Sequence, residues 1–224
     1  MSGLGDTIAE RAAIGLVDAP EDLSVFLRPS CAAAVWARRP LTSFQTWIDA
    51  VAPGHLPRAR VTLRPSAVHD AMFRICEASV TPECAERARF VDDVAALADI
   101  FARLMRSAFL TMRLEVLTTD SGEYFDLDAV SARLVCTYRG PGTQIRVPTV
   151  KADPHRSFTV PTGAALLLRG GLWPAQPAAG LRCHAPRIRG TGQTRLVLVL
   201  DPIPGSGPSP GPSPGQEDHR PYVH

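Results

Sequence analysis

The segment YFDLDAVSARLVCTYRGPGT, residues 124–143, contains the pattern that decides the fold class. Apolar and polar side chains alternate over residues 131–138, and this period of two predicts a β-strand. The Gly-Pro-Gly-Thr sequence at 140–143 predicts a type II turn, with Pro at the second position and Gly142 supplying a positive φ at the third. The stretch therefore indicates β structure at this point of the chain.

The two sides of this segment differ in their hydrophobic period. On the N-terminal side, apolar residues recur at helical spacing in three segments, which predicts helices near 42–51, 65–76 and 87–110. From residue 112 onward the period changes to two. We therefore expect an α+β fold, in which a helical N-terminal half packs on a C-terminal double-stranded β-helix of the jelly-roll or cupin-like kind. The expected strands lie at 112–117, 124–127, 131–138, 144–147, 157–160, 164–169, 180–184 and 193–200.

The composition along the chain predicts a single domain with two tails. Residues 1–20 are rich in small residues, and we expect them to be poorly ordered. Residues 21–201 are expected to form one domain, mainly helical over 21–110 and a jelly roll over 111–201. Residues 202–224 are dominated by Pro, Gly and Ser, which cannot bury a core and therefore predict a disordered tail.

The composition argues against several classes of function. The net charge is +2 and the arginines are scattered, which argues against nucleic acid or an anionic membrane as a partner. The N-terminus lacks the apolar run of a signal peptide, and no stretch approaches the roughly 20 apolar residues of a membrane span. The five cysteines include no Cys-x-x-Cys pair, which argues against a disulfide framework. We therefore expect reduced thiols in a cytoplasmic protein.

Asp126 and Asp128 are the first candidate functional residues. If residues 124–127 form a strand, both carboxylates project from one face, and such a pair needs a cation, a basic side chain or a shared proton between them. The pair is therefore a candidate set of metal ligands. The alternative is an exposed turn beside a strand, where Asp is common, and the pair taken alone favours this alternative.

Cys183, His184 and Arg195 are the other candidates. Cys and His both ligate metals, but consecutive residues of a strand point to opposite faces, so only one of them can join the aspartates. Arg195 stands among apolar residues in TRLVLVLD, residues 194–201. It is either a buried arginine paired with an acid or a ligand carboxylate, or an outward-facing strand residue.

The order of these residues resembles that of the double-stranded β-helix oxygenases, which use iron and 2-oxoglutarate. In those enzymes a His-x-Asp pair and a distal His hold the iron, and a later Arg binds the 2-oxoglutarate carboxylate. By this resemblance Asp128, His184 and Arg195 match three of the four residues. Asp126 stands where the first His is expected. The resemblance implies iron and 2-oxoglutarate as cofactors.

A second resemblance covers most of the chain. It rests on the segments MRLEVLTTDSGEYFDLD, SARLVCTYRGPGT, ALLLRGGLWP, CHAP and RLVLVLD, together with VWARRP and RFVDDVAALADIFARL. These segments resemble the bacterial family called domain of unknown function 1826 (DUF1826). The pattern of that family is Phe-His-x-Asp, with a Cys shortly before it, and a late His-Arg-Ser-Pro motif.

The chain departs from this family pattern at the positions of the motifs. Asp126 replaces the family's His, and Gly122 stands where its Cys is expected. If Pro186 anchors the late motif, Cys183 takes the His position; if one residue is deleted there, His184 takes it. A site that differs at several ligands at once indicates an altered or lost function rather than a retuned one.

Three functions stay open on these observations. The first is a non-catalytic metal-binding module, with zinc held by the aspartates, Cys183 and His184, and the family resemblance implies a link to zinc homeostasis. The second is a degenerate binding module without metal, in which arginines such as Arg195 neutralise the aspartates. The third is an oxygenase that uses Fe(II) and 2-oxoglutarate. The expected partner is a small molecule or a metal ion, and the sequence leaves open whether the chain is an enzyme.

Overall fold

The computed structural model describes residues 14–117, 126–146, 157–174, 182–184 and 193–203. The α-helices in these ranges are α1 (Thr42–Ala50), α2 (Val68–Ala78) and α3 (Ala85–Met105), and 3-10 helices cover Pro20–Leu27, Pro53–His55 and Pro65–Ala67. The strands in these ranges are β1 (Ile14–Val17), β2 (Ala33–Trp36), β3 (Ala59–Leu63), β4 (Leu110–Leu117), β5 (Ala132–Arg139), β6 (Gln144–Arg146), β7 (Ser157–Thr159), β8 (Ala165–Arg169), β9 (Arg182–His184) and β10 (Arg195–Pro202).

The described strands form two sheets. The large sheet has the strand order β1-β2-β8-β5-β10-β4-β3, in which β1 pairs with β2 in parallel and the other neighbours pair antiparallel. The small sheet has the order β7-β6-β9 and is antiparallel. The fold is therefore mixed α/β with a large mixed sheet. The finer assignment to a double-stranded β-helix stays a prediction.

The central strands β8, β5 and β10 of the large sheet are buried on both faces, and their side chains alternate between two hydrophobic clusters. Along β10, Leu196, Leu198 and Leu200 join the cluster that contains the helices. The intervening Val197 and Val199 join a second cluster, which we call the intersheet layer because Ile145 of the small sheet lies in it. Burying such a side chain stabilises the fold by about 1.5–3 kcal/mol, so these two clusters hold the layers together. The intersheet layer consists of Ile14, Ala33, Val35, Val135, Ile145, Val160, Ala164, Leu166, Leu168, Val197 and Val199.

Helix α3 is the longest described helix, and it packs on the face of the large sheet opposite the intersheet layer. Its buried stripe includes Phe90, Val94, Leu97 and Phe101, which recur at helical spacing. The helix ends at Met105 rather than at residue 110 as predicted, since the next residue adopts a left-handed conformation with φ 50°. The amide of the residue after that then donates to the carbonyl of Ala102, which closes the C-terminus of the helix.

The predicted helical N-terminal half is not confirmed, because strands as well as helices come from it. Strands β1, β2 and β3 come from the first half of the chain and complete the large sheet. The segment 1–20, predicted to be poorly ordered, contains β1 in its described part, whereas residues 1–13 lie outside the described residues. The predicted tail lies outside them from residue 204 onward. No helix in the described ranges is long and apolar enough to cross a lipid bilayer.

Candidate functional site

Asp126 and Asp128 lie in an exposed turn that precedes β5. The predicted strand at 124–127 is wrong for its described part, because Asp126 and Leu127 belong to no strand. The Asp126 carboxylate accepts a hydrogen bond from the Asp128 amide at 2.9 Å, which is the geometry of an Asx turn. This local bond competes with strand pairing and explains why the strand begins only at Ala132.

Cys183 and His184 lie in β9, which pairs with β6 of the small sheet. Their backbone partners are Ile145 and Gln144, respectively. Their role as metal ligands stays a prediction. Among the side chains that the structure describes, no three from His, Cys, Asp and Glu come together in a group that could hold a metal ion.

Arg195 opens β10 and is completely buried, so it is not the outward-facing strand residue of the second interpretation. Arg195 lies two positions before Val197 and therefore on the same face of the strand, which is the face of the intersheet layer. Its Nε donates to the carbonyl of Pro141 at 2.7 Å. Its Nη2 donates to the hydroxyls of Thr137 and Thr143, at 3.0 and 2.9 Å. The strand β5 and the turn that follows it thus hold the guanidinium from two sides.

The third nitrogen of the Arg195 guanidinium makes no hydrogen bond to the described residues. Nη1 of Arg195 is buried and has no hydrogen-bond partner among the described residues. Burial lowers the pKa of Arg195 from 12.5 to about 10, and the more distant carboxylate of Glu115 offsets this effect only in part. A buried cation with an unused donor is costly unless an acceptor meets it, so the arrangement is suited to an anionic ligand.

Arg133, another buried arginine of the large sheet, has a hydrogen-bond acceptor for each of its three guanidinium nitrogens. Its Nε and Nη2 donate to the two carboxylate oxygens of Asp201 at 2.6 and 2.7 Å. Its Nη1 donates to the carbonyl of Asp126 at 2.7 Å. Arg113 approaches the same Asp201 carboxylate at 3.4 Å. The charge of Asp201 is therefore engaged by these two arginines, at the far end of β10 from Arg195.

The turn that presents Pro141 to Arg195 differs from the predicted one. The positive φ, 79°, belongs to Gly140, and Gly142 does not have one, so the prediction for Gly142 is wrong. Gly142 is needed for a different reason: a Cβ there would lie 1.8 Å from the carbonyl oxygen of Val160. The two backbones approach closely because the Val160 amide donates to the Thr143 carbonyl at 2.8 Å. This contact holds Thr143 beside Arg195.

Sequence reasoning missed a second polar cluster, on the helix side of the large sheet. Arg38 forms a two-pronged ion pair with Asp93 of α3, with Nη2 and Oδ2 2.8 Å apart. The phenol of Tyr138 donates to the same Oδ2 at 2.6 Å. Arg38 also donates from Nε to the carbonyl of Gly163 at 2.8 Å and lies 3.5 Å from the thiol sulfur of Cys136. The segments VWARRP, RFVDDV and RLVCTY, quoted above for the family resemblance, supply these side chains and were the available signal.

A bulge in β5 brings Tyr138 to this cluster. Leu196 pairs with Arg139 and Val197 with Thr137, so Tyr138 is the extra residue of β5. Both Tyr138 and Arg139 consequently reach the helix side: Tyr138 contacts Asp93, and Arg139 donates to the carbonyl of Ile48 at 3.3 Å. The residue before the bulge, Thr137, faces Arg195 instead. One strand thus serves both polar clusters.

Several solved structures resemble this fold at low sequence identity. A rice dioxygenase for auxin oxidation is 13% identical, with a TM-score of 0.46, and the match covers 85% of this chain and 83% of that one. The dioxygenase for auxin oxidation 1 from Arabidopsis thaliana, in complex with 2-oxoglutarate, is 10% identical with a TM-score of 0.48, covering 85% and 92%. A Pseudomonas putida prolyl-4-hydroxylase is 11% identical with a TM-score of 0.41, covering 84% and 100%.

One family model matches most of the chain. No curated protein matches the chain. The family model described as "Protein of unknown function (DUF1826)" matches residues 17–201, which is most of the chain and includes both polar clusters. The predicted family is therefore confirmed, and this chain belongs to the DUF1826 family.

Proposed function

We propose that this protein is a binding module for a small organic acid, and that Arg195 holds the carboxylate of the ligand beside the intersheet layer. The observation that carries the proposal is the buried Nη1 of Arg195, which has no partner among the described residues. A buried donor without an acceptor costs about 1–3 kcal/mol, and more when the group is charged. A bound carboxylate removes this cost and neutralises the guanidinium.

The threonines beside Arg195 add a second donor. Thr137 and Thr143 both accept a hydrogen bond from Nη2, and their hydroxyl oxygens lie 3.5 Å apart. Each hydroxyl has one proton to donate, and at most one of the two is used between the threonines. The other proton is available to a ligand oxygen. A carboxylate can therefore accept from Nη1 and from one threonine hydroxyl at the same time.

Asp126 supports binding without oxygenase chemistry. The resemblance to the iron and 2-oxoglutarate oxygenases requires a ligand at position 126, but the Asp126 carboxylate is exposed and accepts a hydrogen bond within its own turn. Asp126 thus uses one carboxylate oxygen within its own turn, and a carboxylate stands where those oxygenases have an imidazole. A metal site made of Asp126, Asp128, Cys183 and His184 stays a prediction. It is tested by elemental analysis of untagged protein, in which Asp128→Ala should remove a stoichiometric metal.

An oxygenase that uses 2-oxoglutarate is the second candidate function. One observation favours it: Arg195 is buried at the start of β10, in the position that the resemblance gives to the arginine that binds the co-substrate. The two candidates share the carboxylate contact and differ in turnover. Protein purified anaerobically and supplied with Fe(II), oxygen and 2-oxoglutarate should release succinate only if the second candidate is right.

The binding proposal is tested by calorimetric titration with 2-oxoglutarate, succinate and a neutral diamide of succinate. We expect the acids to bind and the diamide not to bind. A charge-assisted hydrogen bond contributes about 1.5–3 kcal/mol, so Arg195→Met should weaken the binding of the acids by about 10- to 100-fold. Arg60→Gln is the matched control, because Arg60 is an exposed arginine of β3 in the same sheet. Equal affinities of wild type and Arg195→Met would refute the proposal.

A further inference from the structure

A cleft opens on the helix side of the large sheet, away from Arg195. Its volume is about 220 Å³. We call it the arginine cleft, and its principal lining residues are Arg38, Arg39, Leu41, Phe44, Arg89 and Tyr138. The cleft lies where the start of α1, helix α3 and strand β5 meet. It is separate from the proposed carboxylate site, because Tyr138 and Thr137 reach opposite faces of β5.

The floor of the arginine cleft is fixed and carries no net charge. Arg38 and Asp93 neutralise each other, and the Tyr138 phenol donates to the same carboxylate. Burial and the neighbouring carboxylate raise the pKa of Tyr138 well above 10, so the phenol stays neutral at physiological pH. Gly163 has a φ of 85°, and a Cβ there would lie 2.4 Å from Pro40, so the chain is held tightly at this corner.

The rim of the arginine cleft is cationic. Arg39 is exposed and forms no ion pair with any acid in the described part of the chain. Arg89 is 51% exposed, and its ion pair with Glu86 is a surface contact of 3.3 Å. Surface ion pairs of this kind contribute little and exchange readily, so Arg89 can turn towards a ligand. Two guanidinium groups at one opening favour an anion.

The remaining wall of the arginine cleft is apolar. Leu41 is 60% exposed, and the ring of Phe44 packs against Tyr138 with their centroids 6.2 Å apart. Most of the lining surface is carbon, so the cleft is suited to a molecule that has both an apolar body and a negative charge. The volume of about 220 Å³ is below the roughly 300–1,000 Å³ of typical ligand pockets, which favours a small ligand.

We propose that the arginine cleft binds a small organic anion in which one carboxylate is attached to a compact apolar body. Arg39 and Arg89 hold the carboxylate, and Leu41 and Phe44 contact the apolar body. The ion pair of Arg38 and Asp93 keeps the floor in place and leaves the rim arginines available. The inference does not depend on the carboxylate site at Arg195, because the two sites share no residue.

Ligand-observed NMR with benzoate tests this inference, because benzoate joins an apolar ring to one carboxylate. We expect a Kd on the order of 1 mM, typical for so few atoms, and no binding of the neutral benzamide. The double variant Arg39→Gln/Arg89→Gln should weaken benzoate by about tenfold or more. The control Arg60→Gln/Arg74→Gln removes the same charge from exposed positions elsewhere and should leave the affinity unchanged.

The outcomes separate the arginine cleft from the other site. Benzoate affinity that falls in Arg39→Gln/Arg89→Gln and is unchanged in Arg195→Met supports the inference. Affinity that falls in Arg195→Met alone would place the anion beside the intersheet layer and overturn it. Absence of benzoate binding at tens of millimolar, or equal binding of benzamide, would also overturn it. The arginines replaced in the two double variants are all exposed, namely Arg39, Arg89, Arg60 and Arg74. Thermal unfolding of every variant checks that the fold is intact.

Discussion

Two of the buried arginines of the large sheet, Arg195 and Arg133, allow a direct test of why Arg195 is present. Arg195→Met and Arg133→Met replace each guanidinium by an apolar side chain of similar length. Arg133 is paired with Asp201 through two hydrogen bonds, whereas Arg195 forms no ion pair within the described residues. If Arg195 is retained for a ligand rather than for stability, its removal should cost much less free energy of unfolding than the removal of Arg133.

The magnitudes follow from the contacts. The fall in the pKa of Arg195 from 12.5 to about 10 corresponds to roughly 3 kcal/mol against its charged form, which the methionine removes. The three hydrogen bonds that are lost contribute about 1 kcal/mol each, so the net change should be smaller than about 2 kcal/mol. Arg133→Met leaves the carboxylate of Asp201, only 12% exposed, with Arg113 at 3.4 Å, and should cost about 3 kcal/mol or more.

Urea unfolding at pH 7 and without added ligand measures both changes. The slope of the free energy of unfolding against urea must be equal in the three proteins for the comparison to hold. We expect Arg195→Met to unfold close to the wild type and Arg133→Met to unfold at clearly lower urea. If Arg195→Met were destabilised as much as Arg133→Met, Arg195 would be a structural residue, and the reasoning that gives it a ligand would be refuted.

Three further predictions concern stability. Tyr138→Phe removes the hydrogen bond to the Asp93 carboxylate and should lower the free energy of unfolding by about 1.5–3 kcal/mol. In the background of Asp93→Asn the same substitution should lower it clearly less. Equal losses of free energy in the two backgrounds of this double-mutant cycle would contradict the contact. Val80→Gly should raise the free energy of unfolding by about 1 kcal/mol. Val80 is 68% exposed and has a φ of 52°, a backbone conformation in which a β-branched side chain is strained. A loss of stability in thermal unfolding would show that this strain is absent. Burial raises the pKa of the Cys136 thiol from 9.0 to about 11, so the folded state binds the thiol proton more tightly than the unfolded state does. The contribution of this thiol to stability should be full below pH 9 and should fall by roughly 2–3 kcal/mol between pH 9 and 11. Urea titrations of Cys136→Ala should show a shallower loss of stability at alkaline pH, and an unchanged pH profile would count against the buried thiol.

The hydrophobic period of the sequence predicted most of the second half of the fold. The alternation over 131–138 corresponds to β5, and the apolar run after residue 194 corresponds to β10. Helix α3 was predicted because its buried stripe recurs every three or four residues over 21 positions. These signals are local and long, and a long local pattern is seldom overridden by tertiary contacts. The family, too, was predicted from the sequence and confirmed.

The short strands β1, β2 and β3 of the first half were not predicted, because their state depends on distant partners. The run AAAVW is compatible with a helix or a strand, and it becomes β2 because β1 and β8 lie on its two sides. The aspartates before β5 show the same limit on a smaller scale. Their spacing fits a strand or a turn, and the hydrogen bond between the Asp128 amide and the Asp126 carboxylate decides for the turn.

The sequence by itself determined the family, the two kinds of layer and the presence of a candidate arginine in the last strand. Only the tertiary structure decided that Arg195 is buried with an unused donor, because its partners come from a turn that precedes it by some fifty residues. Only the tertiary structure brought Arg38, Asp93 and Tyr138 together, since they come from the segment after β2, from α3 and from β5. The hydrophobic period is a property of consecutive residues and can be read from the sequence. The pairing of charged side chains depends instead on which segments of the chain the fold places side by side.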